Sequence, residues 1–262
     1  MTDNDWLMAL LLDVHRGLPR QGPGDDASTL RALEMCSGLP MRPDVLDVGC
    51  GPGMQTVVLA RATGGTVTAV DLFEQFLDQL RERAVAAGVR DRIQVMRGDM
   101  RDLPFGKDSF DLIWSEGAAY IMGITAAFEG WKPFLRPQGH LVVSEIVWRV
   151  ADGDVPQDLY DFFHGEYPGI TDVAGNLRRV RECGYEVVGH FTLPDESWWT
   201  HYYDPLSANL QAMRDKYRLD PQALRFIDES EDEQRLRRDY ADAYGYEFFV
   251  TRLIDPDAPR RT

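Results

Sequence analysis

Val45-Leu-Asp47-Val-Gly49-Cys-Gly51-Pro-Gly53 carries a short apolar strand into three glycines at alternate positions, and a helix-forming run, Met54 to Ala62, follows at once. Glycine suits a chain that must turn tightly, enter positive φ and let a ligand approach its backbone. The spacing separates ligands. A dinucleotide fingerprint needs G-x-G-x-x-G, and Met54 stands in its last place. No G-x-x-x-x-G-K-[ST] occurs, so the turn is not a phosphate-cradling P-loop.

Outward from this turn, β-rich and helical runs alternate. Thr66 to Val70 reads as a strand, Phe73 to Ala87 as a helix stopped by Gly88, and Ile93 to Met96 and Phe110 to Trp114 as strands. A helix is expected over Thr125 to Leu135, closed by Pro137 and Gly139, then a strand over His140 to Ser144. Strands separated by helices of this length predict right-handed β-α-β crossovers and a parallel sheet covered on both faces. Upstream, helical patches near Asp5 to His15 and Asp26 to Cys36 flank Pro19-Arg-Gln-Gly-Pro-Gly24, and Asp26 to Ser28 offers an N-cap. Downstream, Val150 to Tyr244 reads as mostly helical, interrupted by a sixth strand within Cys183 to Thr192; Tyr246 to Leu253 is the last strand. The acidic run Asp228 to Glu233 reads as the solvated start of a helix over Glu233 to Tyr244. The expected organisation is an N-terminal arm over 1–40, a ligand-binding core over 41–150, the rest of the same sheet domain with helical lid insertions over 151–254, and a tail over 255–262.

The 262 residues suffice for one embellished α/β domain, and 44% hydrophobic with 27% charged residues excludes disorder and coiled coil. Asp and Glu total 43 against 28 Lys and Arg, a net charge of −15 that opposes nucleic acid as a partner. Cys36, Cys50 and Cys183 form no C-x-x-C, and no H-E-x-x-H occurs, so neither disulfides nor a metal is expected. No run approaches the roughly 20 apolar residues of a membrane span. Trp6 to Leu12 follows Asp3 and Asp5 rather than a basic segment, unlike a signal peptide. A cytoplasmic protein with no membrane association is expected.

Two acids extend the glycine signal. Asp71, at the tip of the second strand, suits both hydroxyls of a ribose, although an acid before a helix is favoured anyway. Asp99 follows the third strand in Arg97-Gly-Asp99-Met100, where it can accept from an adenine amino group while Met100 packs on the ring. All these positions fall at the carboxyl ends of consecutive strands, the edge on which open α/β sheets bind ligands.

As a set, these residues resemble the class I S-adenosylmethionine-dependent methyltransferases. Asp47-x-Gly49-x-Gly51-x-Gly53 is similar to their glycine motif, Asp71 to their ribose acid, and Gly98-Asp99-Met100 to their adenine turn. Phe110-Asp-Leu-Ile-Trp-Ser115 and Trp131 to Ser144 resemble the strand motifs that follow, and Asp102 to Leu112 is similar to the ubiquinone/menaquinone-biosynthesis-like (type 11/25-like) small-molecule branch. The resemblance spans about residues 40 to 145. It implies a Rossmann-like seven-stranded, mostly parallel sheet with an antiparallel last strand, helices on both faces, and a helical lid made by the arm and the late insertion. It also implies S-adenosylmethionine as methyl donor and S-adenosylhomocysteine as released product. Asp47 would orient the loop and help hold the cofactor's ammonium; Gly49, Gly51, Gly53 and Ser115 would line the methionine end, with Leu72 beside Asp71. Gln21 reads equally as a cover for that end or as a turn residue.

Methyl transfer from a sulfonium needs alignment, and a base only where the nucleophile must lose a proton. Candidates are Glu116 and Tyr120 after the fourth strand, Glu145 after the fifth, and His201 in Ser197-Trp-Trp-Thr-His-Tyr-Tyr-Asp204. Trp198 and Tyr202, four apart, read first as one packed helix face, while His15, His140 and His190 read as structural or exposed. The acceptor is expected to be a small molecule, and a homodimer through the lid helices is compatible with the sequence. The rival readings are a non-catalytic cofactor-binding regulator or partner subunit, a nicotinamide oxidoreductase, and a nucleic-acid methyltransferase. The glycine spacing argues against the oxidoreductase and the net charge against the nucleic-acid enzyme.

Overall fold

A computed structural model describes residues 3–254, so the expected tail over 255–262 lies outside the described residues. Seven strands form one sheet in the order β3-β2-β1-β4-β5-β7-β6. They are β1 (Asp44–Val48), β2 (Thr66–Asp71), β3 (Ile93–Arg97), β4 (Phe110–Glu116), β5 (Leu135–Trp148), β6 (Tyr185–Thr192) and β7 (Tyr244–Leu253). β1 to β5 pair in parallel, and β7 runs antiparallel to both β5 and β6.

The helices are α1 (Asp3–Val14), α2 (Asp26–Met35), α3 (Met54–Thr63), α4 (Glu74–Ala86), α5 (Ile124–Trp131), α6 (Gln157–Glu166), α7 (Val173–Glu182), a short α8 (Glu196–Trp198), α9 (Asp204–Lys216) and α10 (Pro221–Asp239). Alternation along the strands splits the core. Leu46, Ile113, Leu141 and Val143 meet Ala127, Phe128 and Trp131 of α5 and Val180 of α7, whereas Val45, Val67, Leu112 and Val142 meet Ala32 of α2 and Leu59 and Ala60 of α3. A separate cluster joins α1, α6, α9 and α10 to the ends of β5 and β7 through Leu10, Ile146, Leu159, Trp198, Leu210, Ile227 and Tyr244. This helical cover sits over the carboxyl edge of the parallel strands, because β5 continues through Glu145–Trp148 while paired with β7.

Several sequence expectations change. The helix expected over Thr125 to Leu135 ends at Trp131, a tight turn over Lys132–Phe134 follows, and Leu135 already pairs with Phe110. Pro137 and Gly139 do not close a helix; they lie in a bulge where Gln138 takes φ 67°, since Pro has no N–H to give the ladder. The N-cap of α2 is Asp25, which accepts from Ser28 N at 2.7 Å, rather than Asp26 to Ser28. The acidic run is not a helix start: α10 begins at Pro221, capped by Asp220, and Tyr244 belongs to β7. Trp199–Tyr203 forms a π turn, so Trp198 and Tyr202 do not share an ordinary helix face. Among the described residues, no helix is long and apolar enough to cross a membrane.

Candidate active site

The glycine turn is built by local sterics. Gly49, Gly51 and Gly53 have φ of 68°, 52° and 80°. A Cβ on Gly53 would stand 2.2 Å from Leu80 Cδ1, and one on Gly49 2.5 Å from Ala118 Cβ, so neither position admits a side chain. Gly49 N and Cys50 N both donate to Val70 O, which fixes the loop on the end of β2. Asp71 completes the frame: Oδ2 accepts from Gly51 N at 2.8 Å and Oδ1 from Phe73 N at 3.0 Å. One carboxylate thereby joins the glycine loop to the start of α4, and burial raises its pKa.

Asp47 lies under the loop, fully buried. Its Oδ2 accepts from Thr56 Oγ1 at 2.5 Å and from Gln55 Nε2 at 3.3 Å, and its Oδ1 has no partner. Burial pushes this carboxyl up to about 7. Gln55 Nε2 also donates to Cys50 O at 2.9 Å, so the acid reaches the loop through an amide.

A cavity of about 930 Å³ opens along this edge. One end is walled by Gly49, Gly51, Gln55, Asp71, Leu72, Asp99 and Met100, the other by side chains of the helical cover. Met8 and Leu11 of α1, Phe162 and Phe163 of α6, Trp198 and Tyr202 around the π turn, Phe226 of α10 and Tyr246 of β7 make that second end aromatic and apolar. Glu229, Ser230 and Glu233 add polar groups from the same face of α10. Tyr203 Oη donates to Glu233 at 2.8 Å, and burial raises the Glu233 pKa.

The N-terminal arm is pinned over the junction. Arg20 Nη1 donates to Glu116 Oε2 at 2.6 Å, with both side chains only 5% exposed. Thr29 Oγ1 and Trp114 Nε1 donate to Glu116 Oε1 at 2.7 and 2.9 Å. Arg83 bonds Leu18 O and Pro19 O, and Gly24 N bonds Ser197 O. Gln21 reaches the cavity from this arm; its Cγ lies 3.4 Å from where a Cβ on Gly51 would be.

The structure therefore gathers Gln21, Gly49, Gly51, Asp71, Leu72, Asp99, Met100, Glu116 and Tyr120 on one cavity. Gly53, Asp47 and Ser115 lie behind its wall, with Ser115 Oγ fully buried and unpartnered. Of the expected catalytic set, Glu116 and Tyr120 border the cavity, and Glu145 and His201 do not. Glu116 is an ion-paired anchor whose two oxygens are occupied by three donors, which does not leave it free as a base. Glu145 is buried beneath the wall, with Oε1 accepting from Tyr120 N at 3.0 Å and Oε2 unpartnered, and burial pushes it up to about 8. His201 is not among the cavity walls, because the π turn directs Tyr202 there instead. Tyr120 borders the cavity and stacks at a tilt on Tyr167.

Arg20 and His15 also belong to the site. His15 is neither simply structural nor exposed: it is a cavity wall with Leu7 and Leu11, at i, i+4 and i+8 of one helix face. That spacing was the available signal. The anchoring of Arg20 had none, since Glu116 is 96 residues away.

Known proteins share this sequence and fold. Residues 45–139 match the model of a methyltransferase domain. Methyltransferase GfsG of Streptomyces halstedii is 35% identical over 191 residues, covering 66% of this chain and 69% of that one. The chain belongs to the class I S-adenosylmethionine-dependent methyltransferases. Erythromycin 3''-O-methyltransferase of Saccharopolyspora erythraea is 34% identical over 164 residues, but the match covers only 54% of its length and 58% of this chain. In fold, this methyltransferase superposes on the Geobacter sulfurreducens S-adenosylmethionine-dependent methyltransferase solved with S-adenosylhomocysteine, at a TM-score of 0.78 and 21% identity, covering 93% of this chain and 97% of that one. YjhP of E. coli gives a TM-score of 0.79 at 20% identity, covering 94% and 99%.

Proposed function

We propose that this methyltransferase alkylates a bulky, largely apolar small molecule seated in the aromatic end of the cavity. The observation that carries the reading is the continuity of one cavity from the glycine loop to the helical cover. Its volume of about 930 Å³ is at the upper end for a ligand pocket, as a site for two molecules requires. S-adenosylmethionine supplies a methyl group on a sulfonium already disposed to leave.

The residues fit that donor. Asp47 Oδ1, buried and unpartnered, is a seat for positive charge close to the loop, and Gln55 and Thr56 hold its carboxylate in place. Asp71 has carboxylate lone pairs to spare for ribose hydroxyls after bonding Gly51 and Phe73, and Asp99 and Met100 stand where an adenine would lie. At the acceptor end, Trp198, Tyr202, Phe162 and Phe226 exclude water and bury apolar surface, and Glu229, Ser230 and Glu233 orient the polar groups of the acceptor. A bulky apolar acceptor that carries polar groups suits this wall, in keeping with the 27-O-demethylrifamycin SV methyltransferase and erythromycin 3''-O-methyltransferase among the relatives.

The test is a thermal-shift titration with S-adenosylmethionine, S-adenosylhomocysteine, NAD and NADP, followed by mass spectrometry of products from a panel of apolar alcohols, phenols and amines. Ligand at about 100 times its dissociation constant adds about 2.7 kcal/mol, enough to raise the melting point by several degrees. A rise with the two adenosyl ligands alone and a mass gain of one methyl on a panel member is the expected result. A rise with NAD alone, or adenosyl binding with no methylated member, contradicts it.

A further inference from the structure

His15 brings an imidazole to the same cavity. It stands at the carboxyl end of α1, on the same cavity as the glycine loop and the aromatic chamber. Its Nδ1 lies 2.9 Å from Leu11 O, and a carbonyl oxygen only accepts, so Nδ1 carries the proton and Nε2 keeps a lone pair. The ring is stacked against Tyr202 at 6.4 Å. Gln21 Nε2 reaches back toward His15 O at 3.4 Å while its Cγ borders Gly51, so one side chain links the histidine to the glycine loop. Asn209 Nδ2 donates to Val14 O and Arg16 O at 2.8 and 3.0 Å and pins this end of α1 on both sides of His15.

We propose that His15 is the general base of the reaction and that the acceptor atom is therefore a hydroxyl oxygen. The inference rests on the donor and cavity assignment above. As the hydroxyl oxygen forms its bond to the methyl carbon, the carbon–sulfur bond breaks with its electron pair left on sulfur, and the hydroxyl proton passes to Nε2. The imidazolium then returns that proton to water once the methyl ether departs. An amine acceptor that arrives unprotonated could shed its proton after transfer, whereas an alcohol needs a base during attack.

Burial lowers the His15 pKa, which keeps the ring neutral and receptive at neutral pH. Nearby charges do not reverse this. Asp13 is bound to Arg16, Lys216 and Tyr217, and Arg20 to Glu116 and Asp26. Burial holds the Tyr202 phenol far above its ordinary value, and the titratable groups that α10 brings to the chamber are Glu229 and Glu233, whose pKa burial also raises.

Nitrogen NMR of protein labelled with 15N-histidine and saturated with S-adenosylhomocysteine tests the proposal without a known acceptor. The probes are 4-nitrophenol, 1-naphthol and cyclohexanol, and the His15 signals are assigned by their loss in His15→Asn. Before addition, the spectrum should show a proton on Nδ1 and none on Nε2; a probe hydroxyl should then move the Nε2 resonance and leave Nδ1 in place. His15→Asn keeps an N–H donor in the position of Nδ1 but has no lone pair at Nε2, so a merely structural histidine would be rescued by it. With any methylated panel member, kcat in that variant should fall about 100-fold or more and lose its acidic limb, with S-adenosylhomocysteine affinity kept. A proton on Nε2, an Nε2 signal indifferent to all three probes, or full kcat in the variant overturns the proposal. Failure of the wild type to bind S-adenosylhomocysteine overturns the donor assignment instead.

Discussion

The two ends of the cavity are made in different ways. At the proposed donor end, backbone does the shaping: three glycines in the left-handed region, two N–H groups on Val70 O and one carboxylate spanning Gly51 and Phe73. All of it lies within residues 47 to 100, beside consecutive strands. At the proposed acceptor end, side chains converge from α1 and from α6, the π turn, α10 and β7, far apart in the chain. A donor shared by many enzymes calls for a backbone cradle that tolerates little change. An acceptor pocket made of aromatic side chains can be resized without touching that cradle.

The junction between the ends should be the most sensitive point. Arg20→Ala leaves the Glu116 carboxylate buried without its cation, and breaking such a pair costs about 3–5 kcal/mol. Urea unfolding should show that loss, along with weaker S-adenosylhomocysteine binding as the arm lifts; a change below about 1 kcal/mol would mean the arm is not anchored there. Next in size, Gly53→Ala forces a Cβ against Leu80 at a φ of 80°, at a cost of about 1–3 kcal/mol. Calorimetry should find donor affinity at least about tenfold lower, since the cradle must shift.

A pH-dependent effect tests the burial of one acid. Glu145 is raised from 4.5 to about 8, so between these values the folded protein holds more protons than the unfolded one, and stability falls as pH rises. Glu145→Gln should therefore gain stability over wild type progressively from pH 5 to pH 8 and level off above. A pH-independent difference in denaturation midpoint would show that Glu145 is not buried in its charged state. Smallest of all, Phe226→Ala should leave S-adenosylhomocysteine affinity within about twofold, because the substitution shares no partner with the glycine loop. Equal damage to donor and acceptor binding would erase the distinction between the ends.

The same division explains what the sequence disclosed. Strands beside the glycine turn were legible to within a residue or two, because alternation and glycine punctuation are local. The position of Asp71, Asp99 and Met100 on the cavity followed from their place at strand ends. The limits of α5 and β5 were not legible, since the bulge at Gln138 hides behind a Pro and a Gly that resemble a helix stop. The acids misled for a physical reason. Glu116 looked free until Arg20 arrived from another element, and Glu145 looked accessible until β7 covered β5. His201 lost its place to a π turn, which shifts the register of side chains by one residue and leaves no periodic trace. His15 was readable from the Leu7, Leu11, His15 spacing, but only once that face was known to border a cavity rather than a core.

A crystal structure of the complex with S-adenosylhomocysteine shows where the donor sits. The ribose hydroxyls should lie at Asp71, the adenine beside Met100, the amino group on the Asp47 side of the glycine loop, and the sulfur facing the chamber between His15 and Tyr202. Density for the ligand under Trp198 and Phe226, or outside the cavity altogether, would contradict this placement.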